Sequence, residues 1–221
     1  MKDPRALEAI RHVSPWLIEY AEAEVFPRYH GVDPAHDERH IRTVLENSLA
    51  LSCDYEVNVD MVYCVAVFHD VGIVHGREDH EKTSAKALLE DEFIAERFSK
   101  EERRIMAEAI EDHRASGKHP PRSIYGCIVA ESDRDLNPDR IVERCVSFAL
   151  SNNPEADEDR ITEIALHHLE EKYGENGYLK LYLNDPRNVA GLSSIRKDLR
   201  EGTMEAKVRK SYKNQCGSKS K

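Results

Sequence analysis

MVYCVAVFHDVG, residues 61–72, runs apolar for eight residues and then sets an imidazole beside a carboxylate. Helical numbering puts Val62, Val65, Ala66 and His69 on one face, with Asp70 one turn beyond Ala66 and Val67, so both polar groups project from a core-facing surface. A buried imidazole next to a buried carboxylate needs compensation. A metal ion supplies it to both at once, because neutral imidazole and ionised carboxylate are its natural ligands.

The same placement recurs on either side of this stretch. His40 stands one turn before Val44 on a helix carrying Ile41, Val44, Leu45 and Leu49, and His80 precedes Ser84, Ala87 and Leu88 at helical spacing. Met106, Ala109, Ile110 and His113 form a further inward stripe, and Gly126, Val129, Ala130 and Asp133 another. An isolated member of this set is explained by an ordinary hydrogen bond in the core. Jointly, four His and two Asp on inward faces are met most simply by one shared metal centre. With oxygen and nitrogen donors and no thiolate, the set suits Fe, Mn, Zn or Mg and argues against a structural zinc. Two ions sharing Asp70 as a bridge use the six donors economically.

The rest of the chain frames this centre. Its 221 residues are 40% hydrophobic and 33% charged, enough apolar material for one domain of ordinary size with an appendage. Ten Gly, nine Pro and no sustained alternation predict an all-α fold, with helices at about 4–25, 38–53, 58–71, 79–97, 101–114, 121–133, 138–150, 158–173 and 187–210. Asp37 and Asp60 stand where helix N-caps belong, and Ser99 with Glu102 forms a capping-box pattern. A net charge of −10 disfavours nucleic acid as a general partner. No apolar run approaches the roughly 20 residues that span a bilayer, and the N-terminus lacks a signal-peptide pattern, so no membrane partner and a cytoplasmic location are expected. Five cysteines without a CxxC pair indicate neither a disulfide framework nor a zinc knuckle.

From Arg196 onward nine basic residues face three acidic ones, a net +6 against −16 for the remainder. A solvated helix accounts for this end without a function. The pair His167-His168 is read as one flanking and one solvent imidazole, and Trp16, Ile18 and Tyr20 as packing. The turn-rich KYGENGYLKLYLNDPRN is a candidate lid or self-association segment, compatible with a homo-oligomer.

The order His40 in HIRTV, His69-Asp70 in AVFHDVG and Asp133 in VAESDRDL resembles the HD-domain superfamily of metal-dependent phosphohydrolases, over roughly residues 30–150. The resemblance implies a helical bundle with additional C-terminal helices: an HD-type domain over 1–190, then a basic helix and tail over 191–221. It also implies His40, His69, Asp70 and Asp133 as metal ligands. His80 in REDHEKTSAKAL and His113 in AIEDHRASG stand where two-metal members add two histidines. DHRASGKHPPRS lacks the Gly-Tyr-Pro segment of cyclic-di-GMP phosphodiesterases, and HDVGIVHG lacks the acidic pair of (p)ppGpp hydrolases.

The implied activity is hydrolysis of a small-molecule phosphate monoester or diester, such as a nucleotide, through metal-activated water, with Asp70 at its centre. Arg77, Lys82, Arg114 and Lys118 are candidate cations for the developing charge, and Asp112 or Glu81 a candidate base or ligand-orienting group. A di-iron oxygenase with the same six ligand types and a non-catalytic nucleotide-binding module are the alternatives.

Overall fold

The structure, a computed structural model, describes residues 1–32, 37–117 and 119–217. Packing divides it into two compact units, Met1–Asp133 and Arg134–Lys221. The regular structure among the described residues is helical, with no strand, as the periodicity predicts. The first unit holds α1 (Pro4–Ala9), α2 (Pro15–Tyr20), α3 (Glu38–Ser52), α4 (Val59–Phe68), α5 (His80–Glu90), α6 (Glu92–Ala95), α7 (Lys100–Glu111) and α8 (Ile124–Ser132).

Helix α4 forms the axis of this unit. All of Met61–Phe68 is buried, so the helix has no solvent face, and α3, α5, α7 and α8 pack around it. A helix apolar all round is stable only when enclosed in this way. Its core neighbours include Leu17, Leu49, Leu88, Met106, Ile110 and Val129. No single helix among the described residues is long and apolar enough to cross a membrane.

Several expected helices are broken where the local chemistry demands it. The first, expected over 4–25, stops after a 3₁₀ turn at Ile10–His12 and restarts at Pro15, whose ring and missing amide suit a first helical position and not an interior one. It then passes through a π turn at Ala21–Val25 into a 3₁₀ turn at Phe26–Tyr29. The helix expected over 79–97 divides at Asp91, which adopts extended backbone and caps α6 through Ile94 N at 3.1 Å. Asp37 and the Ser99–Glu102 box cap α3 and α7 as expected. Asp60 does not cap α4. Asn58 accepts from Asp60 N at 3.0 Å and fills that role, while the Asp60 carboxylate receives the amide and hydroxyl of Ser14, both at 2.7 Å, at the start of α2.

The second unit contains α9 (Pro138–Asn152), α10 (Glu158–Tyr173), α11 (Pro186–Glu201) and α12 (Met204–Gly217), with α9, α10 and α12 packed on one another. The helix expected over 187–210 divides at Gly202, whose φ of 73° is left-handed backbone suited to glycine. The change of charge near residue 190 thus falls inside a packed unit. Several of its cations are paired within that unit: Lys207 with Asp198, Arg209 with Asp159 and Glu205, and Lys213 with Glu158. The turn-rich segment before α11 is anchored by buried Leu179 and Leu183. His167 is exposed and His168 stacks on Phe148 at 5.6 Å, the flank-and-solvent arrangement expected.

Candidate metal centre

Ends of helices carry the polar groups inward. His40 lies in the first turn of α3, His69 and Asp70 just past the end of α4, His80 at the start of α5, His113 just past α7, and Asp133 just past α8. All six converge. Asp70 Oδ2 lies 3.3 Å from His69 Nε2 and 3.8 Å from His40 Nε2, while its Oδ1 lies 3.1 Å from His80 Nε2 and 3.4 Å from His113 Nε2. Asp133 Oδ1 lies 3.1 Å from His40 Nε2 and 4.0 Å from His69 Nε2. The donors form two groups, His40 with His69 and Asp133, and Asp70 with His80 and His113, each within 4.8 Å internally.

Three of the rings are oriented by backbone. Nδ1 of His69, His80 and His113 lies 2.8, 2.9 and 2.6 Å from the carbonyl oxygens of Ala66, Arg77 and Ile110, each three residues earlier. A carbonyl only accepts, so Nδ1 carries the proton and donates it. That fixes the tautomer of each neutral ring, leaving the Nε2 lone pair aimed at the centre, as a metal-ligating histidine requires.

The donor set fits a cation by a second criterion. His69 Nε2 and Asp70 Oδ1 are buried and satisfied by no hydrogen bond of good geometry among the described residues. Such groups are costly unless something else meets them. Protons do so in part. Burial alone would lower the pKa of His69, His80 and His113, but Asp70 more than offsets it and raises all three. Burial would raise the two carboxyls. His69 and His113 instead hold Asp70 well below the usual carboxylate range, and His40 does the same for Asp133. The carboxylates thus draw positive charge into a dry site, and a divalent ion supplies it without protonating the ligands.

The expected cations are placed differently from one another. Arg114 is half-exposed, with Nη1 3.1 Å from Glu81 Oε2, and that oxygen is 3.8 Å from His80 Nδ1, so the pair lies on the outer side of the His80 ring. Lys82 is on the surface, tied to Asp79 at 2.8 Å. Arg77 is exposed and orients His80 through its carbonyl. Lys118 lies outside the described residues. Asp112 is buried and engaged by Arg122, whose Nη2 is 2.8 Å away, so it anchors the 112–122 connection and does not support His113.

Sequence reasoning passed over Gly72 and Ser84. The Gly72 amide donates to Ser84 Oγ at 2.8 Å, and a Cβ on Gly72 would lie 2.6 Å from Ser84 N and 2.7 Å from His80 O. Absence of a side chain lets the chain after Asp70 lie against the first turn of α5, which brings His80 to Asp70. The signal was a glycine two residues after His-Asp. Tyr29 was passed over as well, in the stretch VFPRY at the end of the first expected helix.

An all-α unit with imidazole and carboxylate donors gathered at its helix ends has the H…HD…D arrangement, and its donors could hold a metal ion. Residues 38–137 match the family model described as HD domain. No curated protein and no solved structure matches the chain significantly.

Proposed function

We propose that this protein is a metal-dependent phosphohydrolase acting on a nucleotide or a related phosphate monoester or diester. The observation that carries the reading is the position of Asp70, which turns one oxygen to His40 and His69 and the other to His80 and His113. This supports a pair of ions, with His40, His69 and Asp133 holding one, His80 and His113 the other, and Asp70 shared. When bound, divalent ions supply Lewis acidity, polarising a phosphoryl oxygen and lowering the pKa of water from 15.7 towards about 7.

The protein's own groups do the rest. Carbonyl-anchored imidazoles keep their lone pairs inward without reorganisation, and the buried His69 and His113 exclude bulk water from one side of the centre. Of the expected cations, Arg114 is the one held beside a candidate ligand, through Glu81 against His80, and is the one we assign to an anionic substrate.

Elemental analysis with a nucleotide-hydrolysis assay tests the proposal. Expected are about two equivalents of Mn or Fe after reconstitution and release of phosphate stimulated by that metal, with both lost together in Asp70→Ala. Activity surviving in Asp70→Ala would refute the role of Asp70. The same nitrogen and oxygen donors also suit iron redox chemistry. Oxygen uptake with a mixed-valent paramagnetic signal, and no phosphate release, would replace the hydrolase with a di-iron oxygenase.

A further inference from the structure

We infer that Tyr29, which lies outside the matched HD stretch, is a positioning residue for the metal centre. The inference rests on the metal-binding reading above. His69 and Asp70 are consecutive, and consecutive residues of an α-helix diverge by about 100°. Both reach one centre only because α4 ends at Phe68 and Asp70 leaves helical backbone, at φ −116° and ψ 8°. Side chains take the last carbonyls of α4. His69 Nδ1 takes that of Ala66, and the Tyr29 hydroxyl donates to that of Val67 at 2.8 Å.

Tyr29 is 1% exposed at the end of the 3₁₀ turn Phe26–Tyr29, so its ring is fixed by the core and its hydroxyl is presented to one place. The phenol therefore holds the final turn of α4 through Val67, two residues before His69 and three before Asp70, and so sets where both side chains leave the helix. Groups that orient ligands without touching the metal typically change metal affinity by about 10–100-fold when removed.

The test is a Co²⁺ titration of the full chain, read by visible absorption, with Tyr29→Phe beside wild type. Tyr63→Phe, which removes another buried phenol on α4, serves as the control. The expected result is a dissociation constant raised about tenfold and an altered Co²⁺ spectrum for Tyr29→Phe, with both unchanged for Tyr63→Phe. A folded Tyr29→Phe with wild-type affinity and spectrum, even if its metal-free unfolding midpoint drops, would reduce Tyr29 to a packing role and overturn the inference. If Tyr29→Phe does not fold, 3-fluorotyrosine at position 29 keeps the shape while strengthening the donor, and an unchanged spectrum and affinity there would overturn it equally. Wild type that takes up no Co²⁺ would overturn the metal reading itself, and this inference with it.

Discussion

His113 and His40 sit on opposite sides of Asp70, each within reach of a different carboxylate oxygen. If Asp70 serves two ions, removing either imidazole empties one position and spares the other. His113→Ala is therefore expected to bind one equivalent of metal in place of two, with the retained ion held by His40, His69, Asp133 and Asp70. A direct ligand should cost more than the roughly 10–100-fold lost with an outer partner. Calorimetric titration with Mn²⁺ gives the count, and a His113→Ala protein that still binds two ions with wild-type affinity would remove His113 from the ligand set. The same scale shows how a glutamate and an arginine at the rim differ from their neighbours. Glu81 and Arg114 compensate one another beside His80, whereas Lys82 is held by Asp79 on the surface.

Between α4 and α5 the chain has no slack, and Gly72 sets the limit. An added Cβ would stand within 2.8 Å of Ser84 N, His80 O and Thr83 Cβ, so α5 must shift to admit it. Gly72→Ala should accordingly displace His80 from Asp70 while leaving His40, His69 and Asp133 in place. The expected outcome is weaker binding of the second ion with the first little changed, together with a loss of stability of about 1–3 kcal/mol, the usual cost of overpacking. Equal weakening of both ions would show that the two halves of the centre are not independent. Helix placement and the inward faces were legible in the sequence because burial imposes a 3.6-residue period on α3 and α7, and α4 stands out as an unbroken apolar run. Helix ends were not. Asp91 and Gly202 break helices whose apolar pattern continues across them, and Pro15 restarts one, so local cap geometry overrode the period. Asp60 looked like a cap for α4 and instead holds Ser14, at the start of α2, from 46 residues away, a pairing that exists only in three dimensions. The ligands themselves were legible because each is a lone polar group on an apolar stripe. Tyr29 and Ser84 escaped because a phenol or hydroxyl on such a stripe is common and its partner is a backbone atom.

Across the first unit, the centre is the main concentration of buried charge, so pH should act on stability chiefly through it. In the metal-free protein His69, His80 and His113 have raised pKa values, because Asp70 outweighs the opposing effect of burial. Groups raised on folding stabilise fully below their unfolded pKa of about 6.5, and that contribution is lost as pH rises through their folded values. Asp70 and Asp133 are depressed, so theirs is present above about 3.9 and is lost as pH falls through their folded values. Metal-free protein is therefore expected to be most stable between about pH 4 and 6.5 and to weaken above that window. Bound divalent ions require neutral imidazoles and ionised carboxylates, so they bind more tightly as pH rises, and tighter binding raises stability. Unfolding midpoints measured with excess chelator should thus fall above about pH 6.5 while those measured with Mn²⁺ hold or rise, opening a gap that widens towards pH 8. Two parallel profiles would mean that the buried histidines do not exchange protons for metal, and that the cluster is a structural ion-pair network alone.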